Sequence, residues 1–327
     1  MKNQKTLLEL KTNDKIDHYL LVTKLDVKTA KNGRQYLDLI LRDESAGFSA
    51  KMWDGFSSFV KDAKEEGVVK VKGKLESFNN QPQIKIYEIR VTDISDGVNS
   101  EDFLPKSQRN LEVMKEELDG IIKSVKNMYL QKLLKDLLSG ERYEKYIRVP
   151  AGKSWHHAYI HGLLEHTLEI VKICELMCTI HSHLDRDLLI AGALLHDFGK
   201  TEELSSDASF DYTTKGKLLG HIVIAAMAVE STAKKIEDFP DDLVIKLIHL
   251  ILSHQGKLEH ATPVEPKTVE AIALYHADEL SAKTNAYTYA IKKAANTKTG
   301  WTNFLPLAGT ALLVPEEKNE PKETLFD

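Results

Sequence analysis

The stretch Leu194-Leu195-His196-Asp197-Phe198-Gly199-Lys200 decides how this chain is read. An apolar run over residues 188–195 ends in an adjacent imidazole and carboxylate, the donor types that a divalent metal takes. Gly199 permits a turn, and Lys200 follows within reach of a phosphate oxygen. An adjacent His-Asp pair is more often a surface feature than a site, so the other ligands must come from elsewhere in the sequence.

Histidine is unevenly spread: twelve of the 13 fall between His156 and His276. His166 lies inside an amphipathic helical pattern with Leu164, Leu168 and Val171. His221 opens a helical pattern after Gly220, and His254 closes another over residues 243–253. Asp278 sits within the apolar run 271–280, where a carboxylate needs a cation or a donor beside it. Each of these residues is weak evidence alone, and a lone helical histidine such as His166 is more often structural. Together they form an ordered series, His, His-Asp, His, His, Asp, each on a separate helix or helix end. His249 reads as core or as support for a ligand, His276 as support, and His181, His183 and His260 as surface. Residues 110–139 are helical by pattern and no convincing strand follows before about residue 295, so the C-terminal part is expected to be all-α.

The N-terminal part has period-two patterns instead. Strands are expected over residues 18–30, 35–43, 48–53, 68–78 and 84–91, with a bulge between residues 86 and 89 and a helix over residues 56–66. Asn32-Gly33 and Asn79-Asn80 are turn signals. Three strands, a helix and two strands is the order of a five-stranded OB barrel, a fold that binds single-stranded nucleic acid by stacking bases on aromatics beside cations. The candidates are Tyr36, Trp53, Phe56, Phe78 and Tyr87, with Arg34, Lys51, Lys72, Lys74 and Lys85. Ala50 and Met52 face the core, and one of Lys51 and Trp53 is expected to break the alternation.

Between the two parts, residues 93–108 lose periodicity and gain Asp, Ser, Gly, Asn and Pro105, as a linker does. The division expected is a barrel over 1–95, linker and connecting helices over 96–140, a helical domain over 141–314 and a charged, disordered tail over 315–327. Residues 1–92 hold 17 Lys and Arg against 13 Asp and Glu, a balance of +4; the whole chain carries −5, which leaves −9 for the rest. A mildly basic barrel suits a polyanion. The N-terminus has no apolar signal core, and no run is long enough for a membrane span. Cys174 and Cys178 lie four apart on one helical face and read as buried small residues. A cytoplasmic setting without a membrane partner is therefore expected.

The ligand series resembles that of the HD-domain phosphohydrolase superfamily over residues 155–285. The resemblance implies a divalent metal on His166, His196, Asp197 and Asp278, with Asp197 bridging to a second ion on His221 and His254. Two-metal members often carry a second histidine after the one at 254; this chain has Gln255, which leaves the second ion weakly held, water-ligated or absent. Mn suits this donor set best, with Co, Fe, Ni or Mg as alternatives. With the barrel included, the whole chain resembles the YhaM-type 3′→5′ exoribonucleases of bacteria. The resemblance is carried by Trp155-His156-His157-Ala158-Tyr159 running into Gly162-Leu163-Leu164-Glu165-His166-Thr167, by Ser253-His254-X-Gly256, and by Asp278-X-Leu280-X-Ala282-Lys283. His161 and residues 300–304 depart from that pattern.

The implied activity is metal-dependent 3′→5′ cleavage of single-stranded RNA, with single-stranded DNA as an alternative, releasing nucleoside 5′-monophosphates. Asp197 would hold the metal, Lys200 would offset phosphate charge, and His156 or His157 would contact phosphate or protonate the leaving oxygen. A homo-oligomer is compatible with the resemblance. Two other readings stay open: a nucleotide or cyclic-nucleotide phosphohydrolase, and a non-catalytic single-strand-binding protein.

Overall fold

A computed structural model describes residues 4–79, 81–153, 155–205, 210–294, 299–306 and 308–315. Five strands form the N-terminal barrel: β1 (Lys15–Thr29), β2 (Gln35–Arg42), β3 (Gly47–Met52), β4 (Val68–Phe78) and β5 (Gln81–Val91). They close in the order β1-β2-β3-β5-β4. Every pairing is antiparallel except that of β3 with β5. Alternation creates the inside: Leu37, Leu39 and Leu41 of β2 meet Val69, Val71 and Leu75 of β4 and Ile84 and Ile86 of β5 in one buried cluster. The anticipated bulge is present. Lys72 pairs with Glu88 and Gly73 with Ile86, so Tyr87 is the extra residue on β5. The turn at Asn32-Gly33 has Gly33 at φ +81°, and Asn79 is left-handed at +51°; Asn80 lies outside the described residues.

Three features differ from the pattern-based reading. The helix expected over 56–66 is the single turn α1 (Phe59–Asp62). Glu66 is left-handed, and the Glu65 side chain leaves to accept a hydrogen bond from Leu25 N at 3.0 Å. Alternation through β3 is unbroken: Ala50 and Met52 are buried, while Lys51 and Trp53 share the outer face and both approach the Tyr36 ring. The connecting segment 93–108 is packed. Its first turn carries the buried Asp96, which accepts from Tyr19 Oη at 2.9 Å and from both Arg90 terminal nitrogens at 2.7 Å. Phe103 and Leu104 then join Tyr19, Leu21 and Val68 of the barrel in the main helical core.

Among the described residues nine helices follow: α2 (Leu111–Ser124), α3 (Met128–Leu137), α4 (Gly140–Arg148), α5 (Gly162–Ile180), α6 (Arg186–Leu195), α7 (Lys200–Glu203), α8 (Thr214–Ala233), α9 (Asp241–Ser253) and α10 (Val269–Lys293). Asn110, Asn127, Asp185, Thr213 and Thr268 cap α2, α3, α6, α8 and α10 through their side chains; each cap is worth about 1 kcal/mol. Helix α6 is the hub. Residues 188–195 are all buried, with α3, α5, α9 and α10 packed around them. A helix apolar on every side belongs inside a bundle, and its C-terminal end delivers His196 and Asp197 into the interior.

After α10, bridges between Trp301 and Leu313 and between Leu305 and Thr310 form a small antiparallel turn that the sequence pattern did not suggest. The charged tail from residue 316 lies outside the described residues. Cys174 is buried and Cys178 half-buried, both unpaired, and burial pushes the Cys174 thiol up. No helix among the described residues is long and apolar enough to cross a membrane.

The Asp96 clamp makes a testable contribution. The side chain of Arg90 holds the Asp96 carboxyl well below the usual range. A depressed native pKa stabilises the fold above the unfolded value, about 3.9, and that contribution fades as pH falls below it. Asp96→Asn should therefore lower Tm at pH 7, and the gap from wild type should narrow below about pH 4. Equal gaps at pH 7 and pH 3 would rule this origin out.

Candidate metal centre

Asp197 lies at the turn between α6 and α7, 3% exposed. Burying an ionised carboxylate costs several kcal/mol unless partners offset it, and its surroundings are arranged to do so. Lys200 Nζ lies 2.5 Å from Oδ2. Four imidazoles converge on the two oxygens from four different helices or helix ends. On the Oδ2 side are His196 Nε2 at 3.4 Å and His166 Nε2 at 3.9 Å, and His166 Nε2 also lies 3.1 Å from Asp278 Oδ1. On the Oδ1 side are His221 Nε2 at 3.3 Å and His254 Nε2 at 3.8 Å. The donor atoms of His166, His196 and Asp197 fall within 4.8 Å of one another, and so do those of Asp197, His221 and His254. Two cradles thus share one carboxylate.

Each imidazole is oriented through its other nitrogen. His196 Nδ1 contacts Ala193 O at 2.8 Å, and His254 Nδ1 contacts Ile251 O at 2.7 Å. His221 Nδ1 lies 3.2 Å from Glu203 Oε1, which also accepts from His221 N at 3.0 Å. His166 Nδ1 lies 3.0 Å from Ser281 Oγ. With Nδ1 tied, Nε2 is the free end of each ring. His166 Nε2, His196 Nε2, His221 Nε2 and Asp197 Oδ1 are buried with no hydrogen-bond partner. Buried polar atoms are rarely orphaned. Three inward imidazole nitrogens and a carboxylate oxygen fit a divalent cation, and the mixed N/O donors suit a first-row transition metal.

Two glycines shape this geometry. A Cβ on Gly199 would lie 1.9 Å from His221 O, so only glycine lets the turn after Asp197 pack against the start of the His221 segment. Gly220, at φ +70°, kinks α8 and lets His221 begin its second half.

Charge follows the same layout. Burial lowers the pKa of His254 to about 4, with His196 adding to the shift. His166 is held well below the usual value by burial and by His196 and His157. Both rings are therefore neutral at pH 7, as ligands must be. Burial alone would raise Asp197, but Lys200 and His196 outweigh it and keep the carboxylate ionised.

The remaining candidates divide. His156 and His157 are not a surface pair: His157 is 1% exposed, both ring nitrogens of His156 are buried, and the two rings sit 4.8 and 5.1 Å from that of His166. Burial pushes His156 down to about 2, with His166 second. Lys200 points at Asp197, at the edge of the first cradle. His249 Nε2 accepts from Lys267 N at 2.9 Å and pins a loop. His276 is largely exposed and supports no ligand, which corrects its assignment as support. His181, His183 and His260 are exposed. Gln255 lies between His254 and Gly256, and the second cradle has three protein groups. Sequence reasoning missed Glu169, Ser281 and Glu203. Glu169 and Ser281 sit three residues beyond His166 and Asp278 on the same helical faces, a spacing that could have drawn attention to them.

On the barrel, Tyr36 stacks on Trp53 at 4.7 Å between centroids. Arg34 lies over Trp53 at 5.8 Å, and Lys51 lies over both Tyr36 and Phe78 at 5.1 and 5.5 Å. Lys85 pairs in register with Lys51 on one side and Lys74 on the other, so three lysines cross adjacent strands on the outer face. Lys72 is exposed and paired with Glu88, an interaction too solvated to remove its charge. Phe56 is the exception: it packs against the barrel core, and its placement on the binding face is corrected. Tyr87, at the bulge, is exposed.

Residues 163–283 match the HD domain family, and residues 22–92 match the OB-fold nucleic acid binding domain family. The chain is 34% identical over 290 residues to the 3′-5′ exoribonuclease YhaM of Geobacillus sp. (strain WCH70), covering 88% of this chain and 89% of that protein. It is 33% identical over 280 residues to the 3′-5′ exoribonuclease YhaM of Bacillus subtilis (strain 168), covering 86% and 88%. Among solved structures, the second OB-fold domain of replication protein A from Methanococcus maripaludis matches 27% of this chain and 94% of its own, at 18% identity and a TM-score of 0.24.

The shared carboxylate predicts an asymmetry in metal binding. In calorimetric titrations of metal-free protein with Mn²⁺, Asp197→Asn should abolish both binding events and His221→Ala only one. Retention of either event in Asp197→Asn would contradict the two-cradle geometry.

Proposed function

The chain belongs to the YhaM family of 3′-5′ exoribonucleases, and on that footing we propose that it is a metal-dependent 3′→5′ exonuclease acting on single-stranded RNA and releasing nucleoside 5′-monophosphates. The observation that carries this reading is the pairing, in one chain, of a shared-carboxylate metal centre with a barrel whose outer face joins stacked aromatics to lysines. The helical site alone suits hydrolysis of any phosphoester. A small nucleotide has no use for the Tyr36–Trp53 stack and the lysine row, whereas a strand does.

His166, His196, Asp197 and Asp278 would hold one divalent ion, and Asp197, His221 and His254 a second, with Mn²⁺ the first choice and Co²⁺, Fe²⁺, Ni²⁺ or Mg²⁺ the alternatives. Such ions supply Lewis acidity toward the scissile phosphate and lower the pKa of water to near neutrality. The protein's own groups do the rest. The barrel face binds the strand through Arg34, Tyr36, Lys51, Trp53, Lys74, Phe78 and Lys85. Lys200, at the cradle's edge, offsets charge that builds on the phosphate oxygens. His156 and His157 pack on the first cradle, where an imidazole can contact the phosphate or protonate the departing 3′-oxygen. The bond that breaks joins phosphorus to the 3′-oxygen of the penultimate nucleotide. The water oxygen stays on phosphorus, and a proton goes to the leaving oxygen. A reducing cytoplasm suits the two unpaired cysteines.

End-labelled RNA, single-stranded DNA and free nucleotides, each with Mn²⁺ or EDTA, test the reading. RNA should shorten from its 3′ end to 5′-monophosphates, only with metal. Turnover of free nucleotides alone would make the chain a nucleotide phosphohydrolase, and strand binding without turnover would make it a binding protein. His196→Ala should abolish cleavage and leave RNA binding intact.

The barrel face makes its own prediction. Trp53→Ala should weaken binding of a long single strand by about 1–3 kcal/mol, the value of one stacked base. Lys51→Ala should reduce the slope of log affinity against log salt. Neither change should slow hydrolysis of a dinucleotide; if both did, the face would not act as a separate strand holder.

A further inference from the structure

We propose that Ser281 and Glu169 form a hydrogen-bond relay that sets the tautomer of His166, which makes Glu169 a positioning residue for the first cradle; the inference rests on the metal-centre reading of that cradle. Ser281 Oγ donates to Glu169 Oε2 at 2.7 Å. An ionised carboxylate only accepts, so the single hydroxyl proton is committed to it. The 3.0 Å contact between Ser281 Oγ and His166 Nδ1 must then run the other way, with Nδ1 carrying the proton and donating. A neutral imidazole has one donor nitrogen and one acceptor nitrogen. His166 Nε2 is left with its lone pair facing the oxygens of Asp197 and Asp278. The geometry agrees: Nε2 is buried there and makes no hydrogen bond to either carboxylate, although Asp278 Oδ1 is 3.1 Å away.

His166 differs in this respect from the other ligand histidines. His196 and His254 take their orientation from a carbonyl three residues back on their own helices. His221 uses Glu203, from the neighbouring short helix. His166 relies on a side chain of α10 that is itself held by a side chain of α5. The residues form two matched pairs, His166 and Glu169 on α5 and Asp278 and Ser281 on α10, each spaced i, i+3. The relay therefore joins the two helices beneath the two ligands they supply. The same Glu169 Oε2 lies 3.3 Å from His157 Nε2.

The proposal separates three substitutions in the full-length protein. Metal-free samples are titrated with Co²⁺ and followed by calorimetry and visible absorption, with Tm recorded in EDTA. Ser281→Ala and Glu169→Ala should each weaken one binding event by about 10–100-fold, the usual effect of losing such an outer partner. The double variant should be no worse than either single one, because both break the same chain. Glu169→Gln should stay near wild type in Co²⁺ affinity, since its carboxamide oxygen still accepts the Ser281 hydroxyl. A merely structural role would lower the metal-free Tm and leave affinity unchanged, and that outcome would overturn the relay. Equal losses for Glu169→Gln and Glu169→Ala would also overturn it. Absence of Co²⁺ binding in the wild type would defeat the metal-centre reading itself, and the relay with it.

Discussion

One buried carboxylate is the point on which the candidate site of the helical domain converges. Asp197 is ionised inside the protein, which is costly unless cations or donors surround it. Lys200 and His196 offset that cost, and four imidazoles converge on the two oxygens from α5, from the segment between α6 and α7, from the kinked α8 and from the end of α9. The packing of α6 serves the same arrangement. Its apolar surface on every side drives it to the centre of the bundle, so its C-terminus can deliver Asp197 only to the interior. Gly199 then allows His221 to approach to a distance that a methyl group would forbid.

The site was largely legible in the sequence because its residues interrupt strong patterns. Asp278 is an acid in an apolar helix, and His166 and His254 break apolar faces, so each invites a question. Glu169, Ser281 and Glu203 did not stand out, since an acid or a serine on a helix normally reads as solvated surface. Their meaning depends on what the facing helix brings near. The barrel was legible for the opposite reason: alternation and turn residues are local signals. It failed where the signal was ambiguous. Phe56, Phe59, Val60 and Ala63 are spaced as a helical face would be, yet the chain makes only one turn and packs those residues on the barrel core. The segment 93–108 looked like a loose linker because its partner Tyr19 is 77 residues from Asp96 in sequence.

The barrel and the helices are not independent. Tyr19, Leu21 and Val68 face outward from the barrel and enter the same core as Phe103, Leu104 and the helical domain. Asp96 fastens the junction by holding Tyr19 and Arg90 together. Arg42, at the end of β2, lines a small cavity with Leu104, Pro105, Lys153 and Tyr159, so β2 abuts the loop that carries His156 and His157. The barrel and the elements that carry the candidate metal centre thereby share one packed frame.

The central claim is that one carboxylate is shared between two cation cradles. Electron paramagnetic resonance of the protein with increasing Mn²⁺ tests it most directly. A shared Asp197 predicts an exchange-coupled pair signal on addition of the second equivalent, with loss of isolated-ion intensity. Two uncoupled Mn²⁺ signals that persist at full loading would contradict it.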